Sequence, residues 1–174
     1  FLASHGYRFY LYAPKGDAFL RRRWQEPYPD ETVRKVRTFA HHCAALNVRF
    51  GVGLSPYEIY RNFDDAARAA LTDKLATLDH IGITDLAILF DDMRGDMPGL
   101  AQQQVEIVHW IRERTHADRI IMCPTYYSND PVLDRIFGAR PHDYLETLGR
   151  ELHSDVHVFW TGEEIWSRAL SVGG

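Results

Sequence analysis

Apolar positions along this chain fall into two alternating patterns. Short runs rich in branched and aromatic residues, at residues 7–12, 48–54, 86–90, 119–123 and 156–160, predict strands. Between them apolar residues recur at three- and four-residue intervals, which predicts helices with one buried stripe. Residues 31–46 place Val33, Val36, Phe39, Ala40, Cys43 and Leu46 on such a stripe, with Asp30 ahead as the expected N-cap. Residues 64–81 repeat it with Ala67, Ala70, Leu71, Leu75 and Leu78, and Gly82 follows as a C-terminal stop. Residues 100–115 carry Val105, Ile107, Val108 and Ile111, and residues 142–152 supply a shorter fourth helix. The βαβαβαβαβ alternation, with strands roughly 35 to 40 residues apart, predicts a parallel sheet with right-handed crossovers.

Two α/β architectures fit: a doubly wound open sheet, or part of an eight-stranded barrel. No Gly-rich phosphate loop follows any strand, so the usual nucleotide-binding signature is missing. Polar and aromatic clusters instead follow nearly every strand: Pro14-Lys15-Gly16-Asp17, Ser55-Pro56-Tyr57, Asp91-Asp92, Pro124-Thr125-Tyr126-Tyr127 and Thr161-Gly162. Functional groups drawn from several strand ends are the barrel habit. The expectation is an α/β fold of (β/α)8 TIM-barrel type, incomplete here with about five βα units, and residues 1–174 as part of a single catalytic barrel domain. The chain opens on Phe1 without a signal peptide pattern, and Ser171-Val172-Gly173-Gly174 follow a barely started helix, as in a piece of something longer.

Composition narrows the function classes. The 174 residues carry a formal charge of -4 and no basic run beyond Arg21-Arg22-Arg23, which argues against a nucleic-acid-binding surface. No apolar stretch approaches the roughly 20 residues that span a bilayer. Cys43, in a predicted helix, and Cys123, at a predicted strand end, make neither a disulfide framework nor a metal-binding spacing. The histidines, among them His41, His42, His109, His116, His142 and His153, are scattered over helices and their ends.

The sharpest chemistry lies in the stretch LAILFDDMRGD, residues 86–96, where an apolar run ends in adjacent carboxylates. One Asp capping a turn and the other solvated is the bland account. Ligands of α/β proteins, however, bind where the chain leaves the carboxyl end of a parallel strand. Neighbouring side chains on a strand point to opposite faces, so Asp91 and Asp92 can converge on one ligand only if the backbone turns between them. Met93-Arg94-Gly95-Asp96 supplies a polar, Gly-containing departure. A magnesium site for phosphoryl transfer, built from Asp91, Asp92 and Asp96, is an alternative weakened by the missing phosphate loop.

Taken in order, YLYAPKGD, RRRWQEPYP, GVGLSP, LAILFDDM, IMCPTYY and YLETLGRELHSDVHVFWTG resemble glycoside hydrolase family 84. These β-N-acetylglucosaminidases include protein O-GlcNAcases and enzymes once labelled hyaluronidases. The resemblance spans residues 7–162 and is specific because its motifs occur together, in order and at matching spacing. It implies a (β/α) barrel of which strands two to six are present. It also implies hydrolysis of terminal β-linked N-acetylglucosamine with retention, the substrate's own acetamido oxygen acting as nucleophile through an oxazoline. On that resemblance Asp91 orients the acetamido group, and Asp92 protonates the leaving oxygen and later activates water. Lys15 bonds sugar hydroxyls, the Tyr127 hydroxyl sits near the acetamido group, and Cys123 lines the wall. Thr161, after Trp160, lies where a sixth strand meets the pocket. No metal and no cofactor is implied, and the partner is an N-acetylglucosamine-bearing glycoside or glycoprotein.

Read without the family, Lys15 is a solvated loop residue, and Tyr127 and Trp160 are packing aromatics. Tyr126 departs from the family's usual Glu, and Tyr57 from the Gly of Ser-Pro-Gly. The family's Gly-containing first strand and its late sugar-binding Asn and Asp residues are missing. A non-catalytic sugar-binding or interaction module is therefore the competing expectation. For the chain alone, weak or absent turnover is expected, with self-association through open strand edges near Tyr7 and Val156.

Overall fold

A computed structural model describes residues 1 and 3–168, so the closing residues noted above lie outside the described residues. Five strands, β1 (Phe9–Tyr12), β2 (Arg49–Leu54), β3 (Asp85–Leu89), β4 (Arg119–Cys123) and β5 (His157–Val158), form one sheet. Five α-helices connect them, α1 (Asp30–Ala45), α2 (Asp65–Ile81) and α3 (Leu100–Arg112) one per crossover, and α4 (Val132–Phe137) and α5 (Tyr144–Glu151) both between β4 and β5. Every strand pair is parallel, and the spatial order β1-β2-β3-β4-β5 is the sequence order. This decides between the two architectures. A doubly wound sheet reverses direction at a switch point, whereas here each crossover advances one strand in the same direction, as barrel winding requires.

Alternation along the strands gives the sheet two different faces. Phe50, Val52 and Leu54 of β2, Leu86 and Ile88 of β3, and Ile120 and Met122 of β4 belong to the buried core. Phe39 of α1 meets Phe50 edge-on, ring centroids 5.6 Å apart, which places this set on the helix side. The opposite face carries Gly51, Gly53 and Ala87, and it is crowded by curvature. A Cβ added at Gly53 would stand 2.7 Å from the Ala13 Cβ on one side and 2.8 Å from Leu89 Cδ1 on the other. Neighbouring strands that lean together this closely form the concave inner wall of a barrel-type sheet. At the N-terminal end of that wall Asp85, fully buried, accepts from Arg49 Nε at 3.0 Å and Thr84 Oγ1 at 2.9 Å, and pairs with Arg119 Nε at 3.2 Å.

Local details follow the chain's chemistry, with corrections. Asp64 caps α2, accepting from the Ala67 N–H at 2.9 Å, and Gly82 ends it in the left-handed region at φ 86°. Asp30 does not cap α1: it is the first helical residue, and Pro29 occupies the cap position without a side-chain bond. Proline costs nothing where no intrahelical donor is needed, and Asp30 and Glu31 in the first turn still oppose the helix dipole favourably. β5 keeps only His157 and Val158 of the five residues expected to extend. α4 was not expected; it is a six-residue helix that buries only Leu133 and Phe137. His109 and His153, expected to be scattered, do meet, the His153 N–H donating to His109 Nε2 at 3.1 Å.

Candidate active site

Phe90 extends the sheet one residue past β3, its N–H donating to the Cys123 carbonyl at 2.9 Å. The chain then turns sharply, and Asp92 takes a left-handed backbone at φ 59°. An aspartate tolerates that region better than most residues, yet the conformation is uncommon and needs support. The support is a turn locked on both sides. Tyr60 Oη donates to the Arg94 carbonyl at 2.5 Å, and the Gly95 N–H donates to the Phe137 carbonyl at 2.8 Å.

The turn does what adjacent strand residues cannot. Asp91 Oδ2 and Asp92 Oδ2 lie 2.5 Å and 2.6 Å from one Lys15 Nζ, so the two carboxylates converge on a single point. Lys15 arrives from the loop after β1, 76 residues from Asp91 in sequence. Arg21 of the same loop places Nη2 3.7 Å from Asp92 Oδ2. The two acids are unequal: the Asp91 side chain is 16% exposed and that of Asp92 47%. Asp91 Oδ1 is buried and has no hydrogen-bond partner among the described residues. Partial burial works against the Lys15 ammonium, but hydrogen bonds and attraction from both carboxylates outweigh it and raise its pKa.

β4 supplies the neighbouring wall. Burial, then the charges of Asp92 and Asp91, push the Tyr127 phenol up. Burial also pushes the Cys123 thiol far up, with the Asp91 charge adding to it, which disfavours the nucleophilic thiolate. Thr161 is exposed, and its N–H and Oγ1 both reach the Tyr127 carbonyl, at 3.0 Å and 3.4 Å; it secures the Tyr127 segment. Trp160 lies with Pro124, Leu145, Leu148 and Leu152 along an apolar groove beside α5. Asp96 is drawn away from the acid pair by Arg94, whose Nε donates to Asp96 Oδ1 at 3.0 Å. Among the described residues no three His, Cys, Asp or Glu side chains are grouped to hold a metal ion.

Beneath the acids lies a closed polar network that sequence patterns do not reveal. The fully buried side chains of Gln104, Thr125 and Tyr144 join α3, the β4 exit and α5. Thr125 Oγ1 donates to the Phe90 carbonyl at 2.9 Å and accepts from Gln104 Nε2 at 2.8 Å. Tyr144 Oη donates to Gln104 Oε1 at 2.5 Å and accepts from the Thr125 N–H at 3.0 Å. Each group is satisfied, and such a network rigidifies what it touches, here the residue preceding Asp91. Tyr126 is also packing: fully buried, it donates to the Gly138 carbonyl at 2.7 Å.

A cavity of 570 Å³ at the opposite end of the strands is lined by Arg49, Arg112, Arg119, Asp118, Asp155 and His157. Its arginines pair with Asp85, Asp118 and Asp155, so the two signs of charge offset each other there. The acid pair at the carboxyl ends is therefore the better candidate site.

Barrel winding with acids, a lysine and a tyrosine gathered at the carboxyl ends of parallel strands defines the class: an α/β domain of (β/α)8 barrel type. A family model described as beta-N-acetylglucosaminidase matches residues 1–173, and the chain belongs to that family. It is similar to the Protein O-GlcNAcase of Mus musculus and to that of Rattus norvegicus, each 27% identical over 172 residues. Those matches cover 94% of this chain and 18% of each relative, so the chain spans under a fifth of their length. A solved mutant of the Thermobaculum terrenum O-GlcNAc hydrolase is 26% identical with a TM-score of 0.79, covering 94% of this chain and 36% of that one.

Proposed function

We propose that the protein carrying this chain is a retaining β-N-acetylglucosaminidase of O-GlcNAcase type that removes terminal β-linked N-acetylglucosamine by substrate-assisted catalysis. The observation that carries it is the unpartnered, buried Asp91 Oδ1 beside a second, more exposed carboxylate. A buried acceptor without a donor costs on the order of 1–3 kcal/mol, and an acetamido N–H would remove that cost. The two acids leave one turn and approach a sugar from one side. The resemblance to glycoside hydrolase family 84 implies that the substrate's own acetamido oxygen is the nucleophile, an exception to the two-carboxylate scheme.

In the first step the acetamido oxygen bonds to the anomeric carbon as the glycosidic C–O bond breaks, and the Asp92 proton goes to the leaving oxygen. Asp91 holds the acetamido N–H and offsets the positive charge that grows on the forming oxazoline. In the second step water adds to the anomeric carbon, the oxazoline opens, and Asp92 takes the water proton, which restores the starting state. Lys15, a point charge on a flexible stem, exchanges its bridge between the carboxylates for sugar hydroxyls. Tyr127 closes the wall beside the acetamido group.

Aryl N-acetylglucosaminides with graded leaving groups test this on the full-length protein. Asp91→Asn is expected to lower turnover about 100-fold or more on every substrate. Asp92→Asn should do so only where the leaving group needs protonation. Undiminished rates in both variants, or glucosides cleaved as fast as N-acetylglucosaminides, would sink the assignment. Binding of N-acetylglucosamine without hydrolysis would favour a sugar-binding module instead.

A further inference from the structure

Three consecutive arginines follow Leu20, and the fold gives each a different partner. Arg22 stacks on Tyr57, 5.2 Å from the ring centroid. Arg23 donates from Nε to Glu26 Oε1 at 2.7 Å and lies over Phe19. Arg21 alone turns to the acid pair, with its side chain 17% exposed against 60% for Lys15.

Its placement is built in. Leu20 and Trp24 on either side are 1% and 2% exposed, and the Ser55 N–H at the end of β2 donates to the Leu20 carbonyl at 2.8 Å. Lys74, buried on α2, grips the same segment from below, donating to the Phe19 carbonyl at 3.0 Å and the Glu26 carbonyl at 2.8 Å. A segment tied to β2 and α2 cannot carry its arginine far from Asp92. The guanidinium also stays charged at any working pH.

We propose that Arg21 is a positioning residue for the acid step, its fixed charge stabilising the carboxylate that Asp92 becomes once its proton has passed to the leaving oxygen. This rests on the functional reading above. At 3.7 Å the contact is an ion pair rather than a short hydrogen bond, so it stabilises charge without occupying the oxygen that handles the proton. The two cations of the site divide the work. Lys15 is exposed and bridges both carboxylates, so ligand hydroxyls can compete for it; Arg21 stays when Lys15 leaves.

The charge acts in opposite directions in the two steps. It favours the step that leaves Asp92 an anion and disfavours the step that consumes that anion. Removing it therefore slows glycosides whose poor leaving groups need the acid and spares those whose good leaving groups do not. A loss of shape alone would slow both alike.

The test is kcat/KM of the full-length protein on aryl N-acetylglucosaminides from poor to good leaving groups, for wild type, Arg21→Gln, Arg21→Lys and Arg22→Met. Arg21→Gln is expected to lose about tenfold on the poorest leaving group and under about twofold on the best, a discount on the full effect of a fixed charge because Asp92 is half exposed. Arg21→Lys should recover most of the loss, and Arg22→Met should follow the wild-type line across the series. An equal loss across the series for Arg21→Gln, or none, overturns the proposal while leaving hydrolysis by wild type intact. If Arg21→Gln does not fold, Arg21→Lys decides alone: wild-type slope supports the charge, and an altered slope refutes it. A wild-type protein that cleaves no N-acetylglucosaminide refutes the functional reading itself, and this inference with it.

Discussion

Replacing Gly95 with alanine tests how the turn bearing the two acids is held. A methyl carbon there would lie 2.5 Å from Tyr126 Oη, 2.6 Å from Cε2 and 2.7 Å from Cζ. Ordinary contact needs about 3.5 to 4.0 Å, so the ring or the turn must shift by about 1 Å. Tyr126 is poorly placed to yield. It is fully buried, edge-on to Tyr144 at 5.1 Å, covered by the Arg140 guanidinium at 5.0 Å, and bonded to the Gly138 carbonyl. The turn is no freer, because the Gly95 N–H is tied to Phe137. Overpacking of this kind costs roughly 1–3 kcal/mol, and loosening the buried Tyr126 hydrogen bond adds about 1 kcal/mol. The expected destabilisation is thus about 2–4 kcal/mol, read from urea midpoints at unchanged slope. Tyr126→Leu removes the obstacle, and in that background Gly95→Ala should cost under about 0.5 kcal/mol. Equal costs in the two backgrounds, or a Gly95→Ala protein as stable as wild type, would refute the close approach as the reason for glycine.

Two further changes probe what lies beneath the site. Tyr144→Phe leaves Gln104 Oε1 and the Thr125 N–H without their partner in a fully buried setting, and should cost about 2–4 kcal/mol in urea denaturation, with turnover falling as the Asp91 backbone loosens. A cost below about 0.5 kcal/mol would show the network to be dispensable. Burial lowers the Lys74 pKa to about 8, with Asp17 and Glu26 opposing that fall. The folded chain then releases this proton before the unfolded chain, whose lysine titrates near about 10.4, so the penalty is full below pH 8 and eases as pH rises from about 8 towards 10. The stability of wild type relative to Lys74→Met should accordingly climb by on the order of 1 kcal/mol between pH 7 and about 9.5, and a flat or falling difference would contradict it.

The order of strands and helices was legible because hydrophobic period is a local property. Runs such as 86–90 and stripes such as Val105, Ile107, Val108 and Ile111 state their structure within a turn or two. The stop at Gly82 was legible for the same reason, since a left-handed residue is a property of a single position. α4 was not, because a six-residue helix with two buried residues has no period to detect. The N-cap of α1 was not legible, because Asp30 is the nearest acid but the proline before it fills that place.

The acid pair was legible as a candidate from its place after a buried run, and the family resemblance assigned its roles. The residues alone could not show that Asp91 and Asp92 converge. That required a left-handed turn at Asp92 and a lysine brought from 76 residues away. Nor could the run Arg21-Arg22-Arg23 say which arginine serves the site, since each is the same residue in the same composition and only the anchoring of Leu20 and Trp24 aims one of them at Asp92. Gln104 carries no local signal in the α3 stripe, and it is a satisfied buried group only because Tyr144 arrives from 40 residues further on. Patterns set by neighbours in sequence are determined by the sequence alone, whereas charges and hydrogen bonds made across strand ends exist only once the sheet has brought those ends together.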